Sequence, residues 1–127
     1  MEINSDITQR VVIQQDALPW IDMPWAGIQQ RVLEYGADDA ARVTMIIKFA
    51  PGSSLHDPCE FGEEIVVLDG VLTDELGSYK KGDYLKNPPG SSHAYESAEG
   101  CTLFVKRQHL EIEEDQRILV KTASSPW

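Results

Sequence analysis

Residues 82–95 read GDYLKNPPGSSHAY and carry the strongest structural signal in the chain. A short β-type run ends in Pro88-Pro89-Gly90, and His93 follows three residues after the glycine. Because Pro-Pro-Gly restricts the backbone, this turn can hold an imidazole against a neighbouring strand. A histidine that follows a turn is most often a surface residue, so the stretch gains meaning only together with a second one.

The second stretch, residues 56–70, reads HDPCEFGEEIVVLDG. If residues 57–64 are extended, successive side chains alternate between two faces, and Asp57, Cys59 and Glu63 share one of them. Two carboxylates and a thiolate on one face are a plausible ligand set for a divalent cation. His56 has the opposite parity and joins this set only if the chain bulges nearby. The alternative interpretation is an acidic, solvated loop.

Turn residues recur along the whole chain, and the segments between them are rich in Val, Ile, Leu, Thr and Tyr. This pattern predicts an all-β sandwich or barrel. The helix-like stretches at residues 37–43 and 110–116 are short, and we interpret them as turns or loops. The predicted strands are RVVIQ (10–14), GIQQRVLEY (27–35), RVTMIIKF (42–49), EIVVLDGVLTDE (64–75), GDYLKN (82–87), CTLFVKR (101–107) and RILVKT (117–122).

The length and net charge of the chain limit the number of domains and the kinds of partner that we expect. A chain of 127 residues is the size of one domain. Its 21 Asp and Glu against 11 Lys and Arg give a net charge of −10, which disfavours nucleic acid and anionic membranes as partners. No signal peptide or membrane span is visible in the sequence, so we expect a cytoplasmic protein whose two cysteines, Cys59 and Cys101, are reduced. We expect an amino-terminal extension over residues 1–19, formed as an edge strand, a barrel over 20–120 and a tail over 121–127.

Taken together, the two stretches resemble the cupin superfamily. The second cupin motif, G-x5-P-x-G-x2-H, is matched in full by Gly82, Pro88, Gly90 and His93. The back half of the first motif is matched by Glu63 and, after six residues, Gly70. More narrowly, GEEIVVLDGV and YLKNPPGSSH resemble the cupin domain of ChrR-type anti-sigma factors. The resemblance spans roughly residues 20–107 and implies a single-domain RmlC-like jelly-roll β-barrel.

The resemblance implies Glu63 and His93 as metal ligands. Asp57 and Cys59 stand where the family's tightest spacing has two histidines, so Cys59 is implied as a replacement in the second histidine slot. The fourth ligand stays open between Asp57, in register, and His56, through a bulge. A thiolate favours zinc over magnesium or calcium, with iron, nickel or manganese as other possibilities. The competing interpretation is a degenerate, metal-free cupin.

Two functions remain open from the sequence. The first is a stand-alone cupin that binds a divalent metal and a small molecule without catalysis. The second is a metal-dependent enzyme, dioxygenase- or isomerase-like, acting on a small oxygenated substrate. For such an enzyme, the residues that could line the site are Arg31, Tyr84, Tyr95 and Lys106.

Two expectations concern partners. Residues 1–19 contain no Cys or His, so we expect no sigma-binding zinc domain of the kind that ChrR-type regulators carry. A homodimer is expected, with the RVVIQ segment as a partner for an exposed sheet edge.

Overall fold

The structure, a computed structural model, describes residues 2–36, 42–59 and 62–108, with residues 57–59 and 108 described by their backbone alone. Nine strands make up nearly all of the regular structure in this part, which confirms the all-β prediction. A short 3-10 helix, Gln15–Ala17, precedes them. The strands are β1 (Ile21–Asp22), β2 (Ile28–Gly36), β3 (Arg42–Phe49), β4 (Ser53–Cys59), β5 (Glu63–Asp74), β6 (Gly77–Lys80), β7 (Tyr84–Asn87), β8 (Ser91–Ser97) and β9 (Cys101–Gln108).

The strands form two antiparallel layers that curl into a half-barrel. The first layer contains β1, β2, β3, β9, the first part of β5, and β7. The second contains β4, β8, the second part of β5, and β6. Strand β5 crosses between the layers at Gly70, where a Cβ would lie 2.1 Å from the carbonyl oxygen of Gly100. Only a glycine fits this close approach, which places the crossover at that position.

The core lies between the two layers and follows the alternation of strand side chains. Ile65, Val67, Leu103 and Val105 point inward from β5 and β9, and each is at most 2% exposed. Leu72, beyond the crossover, is fully buried against the same core. Full burial of such a side chain contributes about 1.5–3 kcal/mol. The core therefore holds the two layers together. The buried polar residues Glu63 and His93 lie beyond it, near the starts of β5 and β8.

The amino-terminal extension differs from the prediction. RVVIQ (10–14) forms no strand, and within the described residues 2–19 the backbone pairing with the sheet is a bridge between Ile3 and Tyr35 of β2. Arg31 explains the difference, because its guanidinium donates to the carbonyl oxygens of Leu18 and Asp16. Beyond the bridge at Ile3, the extension lies against the outer face of the first layer, beside Ile46 and Phe104.

The loop before β5 also differs from the single extended segment assumed for residues 57–64. Strand β4 ends at Cys59 and β5 begins at Glu63 in the other layer. Gly62 has a φ of +87°, a conformation that L residues rarely adopt, and redirects the chain there. Asp57 and Cys59 therefore lie on a different strand from Glu63, so strand alternation does not relate them.

Some predicted segments lie outside the described residues: the loops at 37–41 and 110–116, the RILVKT strand at 117–122 and the tail at 121–127. Within the part of the chain that is described, no helix is long and apolar enough to cross a membrane.

Candidate metal centre

His93 lies on the inner face of β8, directly after the predicted turn. The turn is closed by the Ser91 N–H, which donates to the carbonyl oxygen of Pro88 at 3.2 Å. From there the inward positions of β8 include His93, Tyr95 and Ser97, and His93 is only 9% exposed. The imidazole is therefore held inside the half-barrel rather than on the surface.

Two carboxylates from the hairpin between β5 and β6 face this imidazole. The Nδ1 atom of His93 lies 2.6 Å from Oε1 of Glu75 and 3.8 Å from Oδ2 of Asp74. One ligand atom from each residue lies within 4.8 Å of the other two, the spacing of a group that could hold a metal ion. We call Asp74, Glu75 and His93 the hairpin cluster.

Backbone groups fix the two carboxylates of the hairpin cluster. Oε2 of Glu75 accepts from the Ala94 N–H at 2.9 Å. Oδ1 of Asp74 accepts from the N–H groups of Leu76 and Gly77 at 2.8 and 3.1 Å, and from the hydroxyl of Tyr79 at 2.8 Å. Each carboxylate thus has one anchored oxygen and a second that faces His93. Fixed donors of this kind need little reorganisation to receive an ion.

The electrostatics of the hairpin cluster favour a cation. Among the described residues, Asp74 and Glu75 form ion pairs with His93 alone. The bond from the Ala94 N–H and the contact with His93 lower the pKa of Glu75. Burial and the nearby negative charge, above all that of Asp74, raise the pKa of Tyr79 to about 12. Two fixed carboxylates beside one imidazole can therefore bind a divalent ion.

Glu63 belongs to a second group, which we call the barrel cluster: Glu63, Asn87 and Arg107. Its Oε1 atom accepts from Nδ2 of Asn87 at 3.1 Å, and its Oε2 atom accepts from Nε of Arg107 at 3.2 Å. The Glu63 side chain is 1% exposed. The predicted ligand Glu63 is thus buried and points inward, but a guanidinium of the same chain already balances its charge.

Tyr95 lies between the two clusters. Its hydroxyl donates to Oε1 of Glu63 at 2.8 Å and accepts from Nδ2 of Asn87 at 2.6 Å. Its ring stacks on His93, with centroids 5.8 Å apart. The two clusters are therefore neighbours across one side chain.

His56 lies on the other face of the second layer. It is exposed, and its Nε2 atom lies 2.6 Å from Oγ of Ser92. The bulge that would turn it inward is missing, since β4 pairs with β8 without a register shift from Ser53 to Cys59. The structure therefore does not bring His56 together with His93 on the inner face.

Asp57 and Cys59 are described only by their backbone. The Cα of Asp57 pairs with that of His93, and the Cα of Cys59 pairs with that of Ser91. Their side chains lie outside the description, so their roles as ligands stay predictions. Cys101 is a free, buried thiol, and burial raises its pKa to about 11.

Sequence reasoning missed Asp74, Glu75 and Arg107. An Asp-Glu pair just before Gly77, at the end of a long strand, could have indicated a hairpin whose turn is fixed by an aspartate. Arg107 follows Leu103 and Val105 at alternate positions of β9, so strand alternation could have indicated that it turns inward.

The four residues proposed to line an active site lie in different parts of the fold. Tyr95 contacts His93. Tyr84 is exposed and donates to Glu64, and Lys106 lies on the outer face of β9 beside that glutamate. Arg31 stacks on Trp20, 3.8 Å from the ring centroid, and holds the amino-terminal extension.

Known structures share this architecture at low sequence identity. A chain of the Rhodobacter sphaeroides complex of SigE with the anti-sigma ChrR aligns with a TM-score of 0.63 at 17% identity, over 72% of this chain. The present chain spans 50% of that one. The polyketide cyclase RemF from Streptomyces resistomycificus aligns at 0.66 and 16% identity, over 89% of this chain and 94% of its own.

A third similar structure is the acetylacetone dioxygenase from Acinetobacter johnsonii, with a TM-score of 0.66 at 15% identity, over 78% of this chain and 72% of its own. An RmlC-like cupin from Shewanella frigidimarina aligns at 0.65 and 16% identity, over 85% and 96%. Likeness at such identity establishes the fold alone, and it confirms the RmlC-like jelly roll. No curated protein matches the chain significantly.

The family is established by the sequence itself. Residues 8–111, most of the chain, match the model of the ChrR cupin-like domain. This match confirms the resemblance expected from GEEIVVLDGV and YLKNPPGSSH. The chain belongs to the ChrR cupin-like domain family.

Proposed function

We propose that this cupin is a non-enzymatic binding module that holds a divalent metal at the hairpin cluster and a small molecule in the half-barrel. One observation carries the proposal: two anchored carboxylates, Asp74 and Glu75, converge on the buried imidazole of His93. The ligand atoms would be Oδ2, Oε1 and Nδ1. An ion there would offset the charge of two carboxylates that, among the described residues, form ion pairs only with His93.

The donor set narrows the choice of metal. One imidazole nitrogen and two carboxylate oxygens suit zinc, iron(II) or manganese better than a soft ion that needs thiolates. Zinc is the first choice, because it tolerates low coordination numbers and mixed nitrogen and oxygen ligands. When bound, the ion supplies Lewis acidity toward an oxygen ligand.

A second candidate site is the part of the family-implied set that remains open: His93 and Glu63 with Cys59, and Asp57 as the fourth ligand. The pairing of Asp57 with His93 across β4 and β8 favours it. If the metal binds at this second site, the contact between Glu75 and His93 would only orient the imidazole, as carboxylates often do for metal-bound histidines. This site requires Arg107 to release Glu63, a cost that the hairpin cluster does not carry.

Metal analysis of the purified chain, followed by calorimetric titration, decides between the two sites. At the hairpin cluster, Glu75→Gln should weaken binding about tenfold or more, while the exposed control Glu99→Gln leaves it unchanged. If instead Glu63→Gln and Cys59→Ser abolish binding and Glu75→Gln changes it only slightly, the family-implied set is correct. A parent protein that binds none of these metals rejects both sites and supports the degenerate, metal-free cupin.

An enzyme is the alternative function. It is supported by Tyr95, which places a hydroxyl and a ring beside His93, and by the enzymes RemF and acetylacetone dioxygenase, which share the fold. Metal-dependent turnover of small diketones or hydroxy acids, lost in Tyr95→Phe and His93→Ala, would establish it. No turnover across such a panel supports the binding module.

The cytoplasmic location and the homodimer remain part of this proposal. The location is carried over from the sequence analysis, and the homodimer rests on the edges that an open half-barrel presents. Light scattering after size exclusion tests the dimer, and a monomeric mass would reject it.

A further inference from the structure

A cavity of about 430 Å³ opens on the inner face of the first layer. Its walls are largely apolar: Val32 from β2, Val43 and Met45 from β3, and Met23 from the segment before β2. The volume lies in the range of small-molecule sites. Such a space favours the apolar body of a ligand, because burial there removes hydrocarbon from water.

The amino-terminal extension forms one wall of this cavity. Ile3 lines it and exchanges two backbone hydrogen bonds with Tyr35, at 2.9 and 2.8 Å. Asn4, with a φ of +51°, donates from its side chain to the carbonyl oxygen of Leu33 at 2.8 Å. The extension therefore completes a built pocket at this end of β2.

Arg107 gives the cavity a charged group, and Gln30 and Tyr35 also line it. Arg107 is the one charged residue among the described residues that line the cavity, and its side chain is 34% exposed. Its Nε donates to Glu63, whose carboxylate is buried behind it. A guanidinium has five N–H donors in a planar fork, and the Nε–H that bonds Glu63 is one of them.

We propose that this cavity binds a small amphipathic carboxylate, with its carboxylate at Arg107 and its hydrocarbon body against Val32, Val43 and Met45. A carboxylate accepts hydrogen bonds from the guanidinium fork more strongly than an alcohol does, and an ammonium head offers the fork no acceptor. The inference rests on the proposed function in treating the half-barrel as a binding module. It does not depend on metal at the hairpin cluster.

Calorimetric titration of the metal-stripped full chain tests the ligand class with three probes of equal chain length: octanoate, octan-1-ol and octylammonium. Octanoate should bind most tightly, octanol about tenfold more weakly because it lacks the charged contact, and octylammonium weakest of all. Octylammonium binding as tightly as octanoate, or no binding of octanoate, overturns the proposal.

Two variants locate the site. Val32→Phe should fill the cavity and weaken octanoate about tenfold or more. Arg107→Lys keeps a positive charge beside Glu63 but loses the planar fork, so it should weaken octanoate about fivefold and leave octanol unchanged. The control is Lys106→Gln, the neighbouring cation on the outer face of β9, which should change neither.

The outcomes separate this inference from the metal proposal. Octanoate binding that survives Val32→Phe with the parent affinity places the ligand elsewhere and overturns the cavity. Octanoate binding by a chain that takes up no metal upholds the cavity and rejects only the metal centre. Metal uptake without octanoate binding rejects only the cavity.

Discussion

The hairpin cluster and the barrel cluster place carboxylates on either side of Tyr95, but only the carboxylate of the barrel cluster has a guanidinium as its partner among the described residues. Glu63, in the barrel cluster, receives bonds from Asn87, Tyr95 and the guanidinium of Arg107. Asp74 and Glu75, in the hairpin cluster, receive neutral N–H and O–H donors on one oxygen each and face only an imidazole with the other. One cluster is charge-balanced and the other is not.

We infer from this difference that burial of a carboxylate does not by itself make it a metal ligand. A buried carboxylate must be compensated by a cation of the chain, a proton or an ion. Arg107 takes that role at Glu63, whereas among the described residues the carboxylates of the hairpin cluster face only the imidazole of His93. The family motif identifies Glu63 by position, but the residue across from it sets its role.

The largest expected effect comes from removing the compensating cation. Arg107→Gln leaves Glu63 buried without its guanidinium, and we expect a loss of about 3 kcal/mol in the free energy of unfolding, the low end for a broken buried pair. Urea denaturation measures it. The double variant Glu63→Gln, Arg107→Gln should recover much of the loss, because the neutral pair leaves no buried charge. If Arg107→Gln alone is as stable as the parent, the barrel cluster is not charge-balanced by Arg107.

Metal addition should stabilise the hairpin cluster by a similar amount. At a free metal concentration one hundred times the Kd, linkage predicts about 2.7 kcal/mol, reversed by a chelator. Thermal or urea denaturation with and without zinc measures it. The increment should vanish in Asp74→Asn, which keeps a side-chain oxygen for the N–H groups of Leu76 and Gly77. An undiminished increment in that variant would exclude Asp74 as a ligand.

The fold could be predicted from sequence further than the site. Strand propensity and dense turns act locally, so they predicted the segments that form β2, β3, β5, β7 and β9, but not β1, β4, β6 or β8. The motif around Pro88-Pro89-Gly90 implied His93 only through the family resemblance. The amino-terminal segment failed because RVVIQ has strand propensity, yet long-range bonds from Arg31 hold the adjoining Leu18 elsewhere. Propensity cannot detect a constraint that comes from a distant residue.

Only part of the candidate site could be predicted from the sequence, because the rest depends on contacts between distant residues. Glu63 and His93 follow from motif spacing, and both do lie inside the half-barrel. Charge compensation depends on which side chains meet across layers: Arg107 on Glu63 and the hairpin carboxylates on His93. Those pairs are far apart in sequence or lie across a hairpin, so spacing along one strand could not reveal them.

A change at Tyr95 should separate the two clusters. Tyr95→Phe removes the hydroxyl bonded to Glu63 and Asn87 but keeps the ring against His93. We expect a loss of about 2 kcal/mol in unfolding free energy, since a bond to a buried charged group is removed. Zinc affinity, measured by calorimetry, should stay within about twofold if the metal sits at the hairpin cluster. A large loss of zinc affinity would instead indicate that Glu63 takes part in the site.

The smallest effect is a titration that reports the charge of the hairpin cluster directly. With a chelator present, the phenol of Tyr79 should ionise near its pKa of about 12. Because this folded pKa lies above the unfolded value near 10, the stability it contributes is complete below pH 10 and is lost as pH rises toward 12. Absorbance of tyrosinate, compared with Tyr79→Phe to isolate the signal, measures it. In Asp74→Asn the pKa should fall toward 10, since the hydrogen bond loses its charged acceptor. A Tyr79 pKa that does not move would show that Asp74 carries no negative charge beside it, and the hairpin cluster would then be as balanced as the barrel cluster.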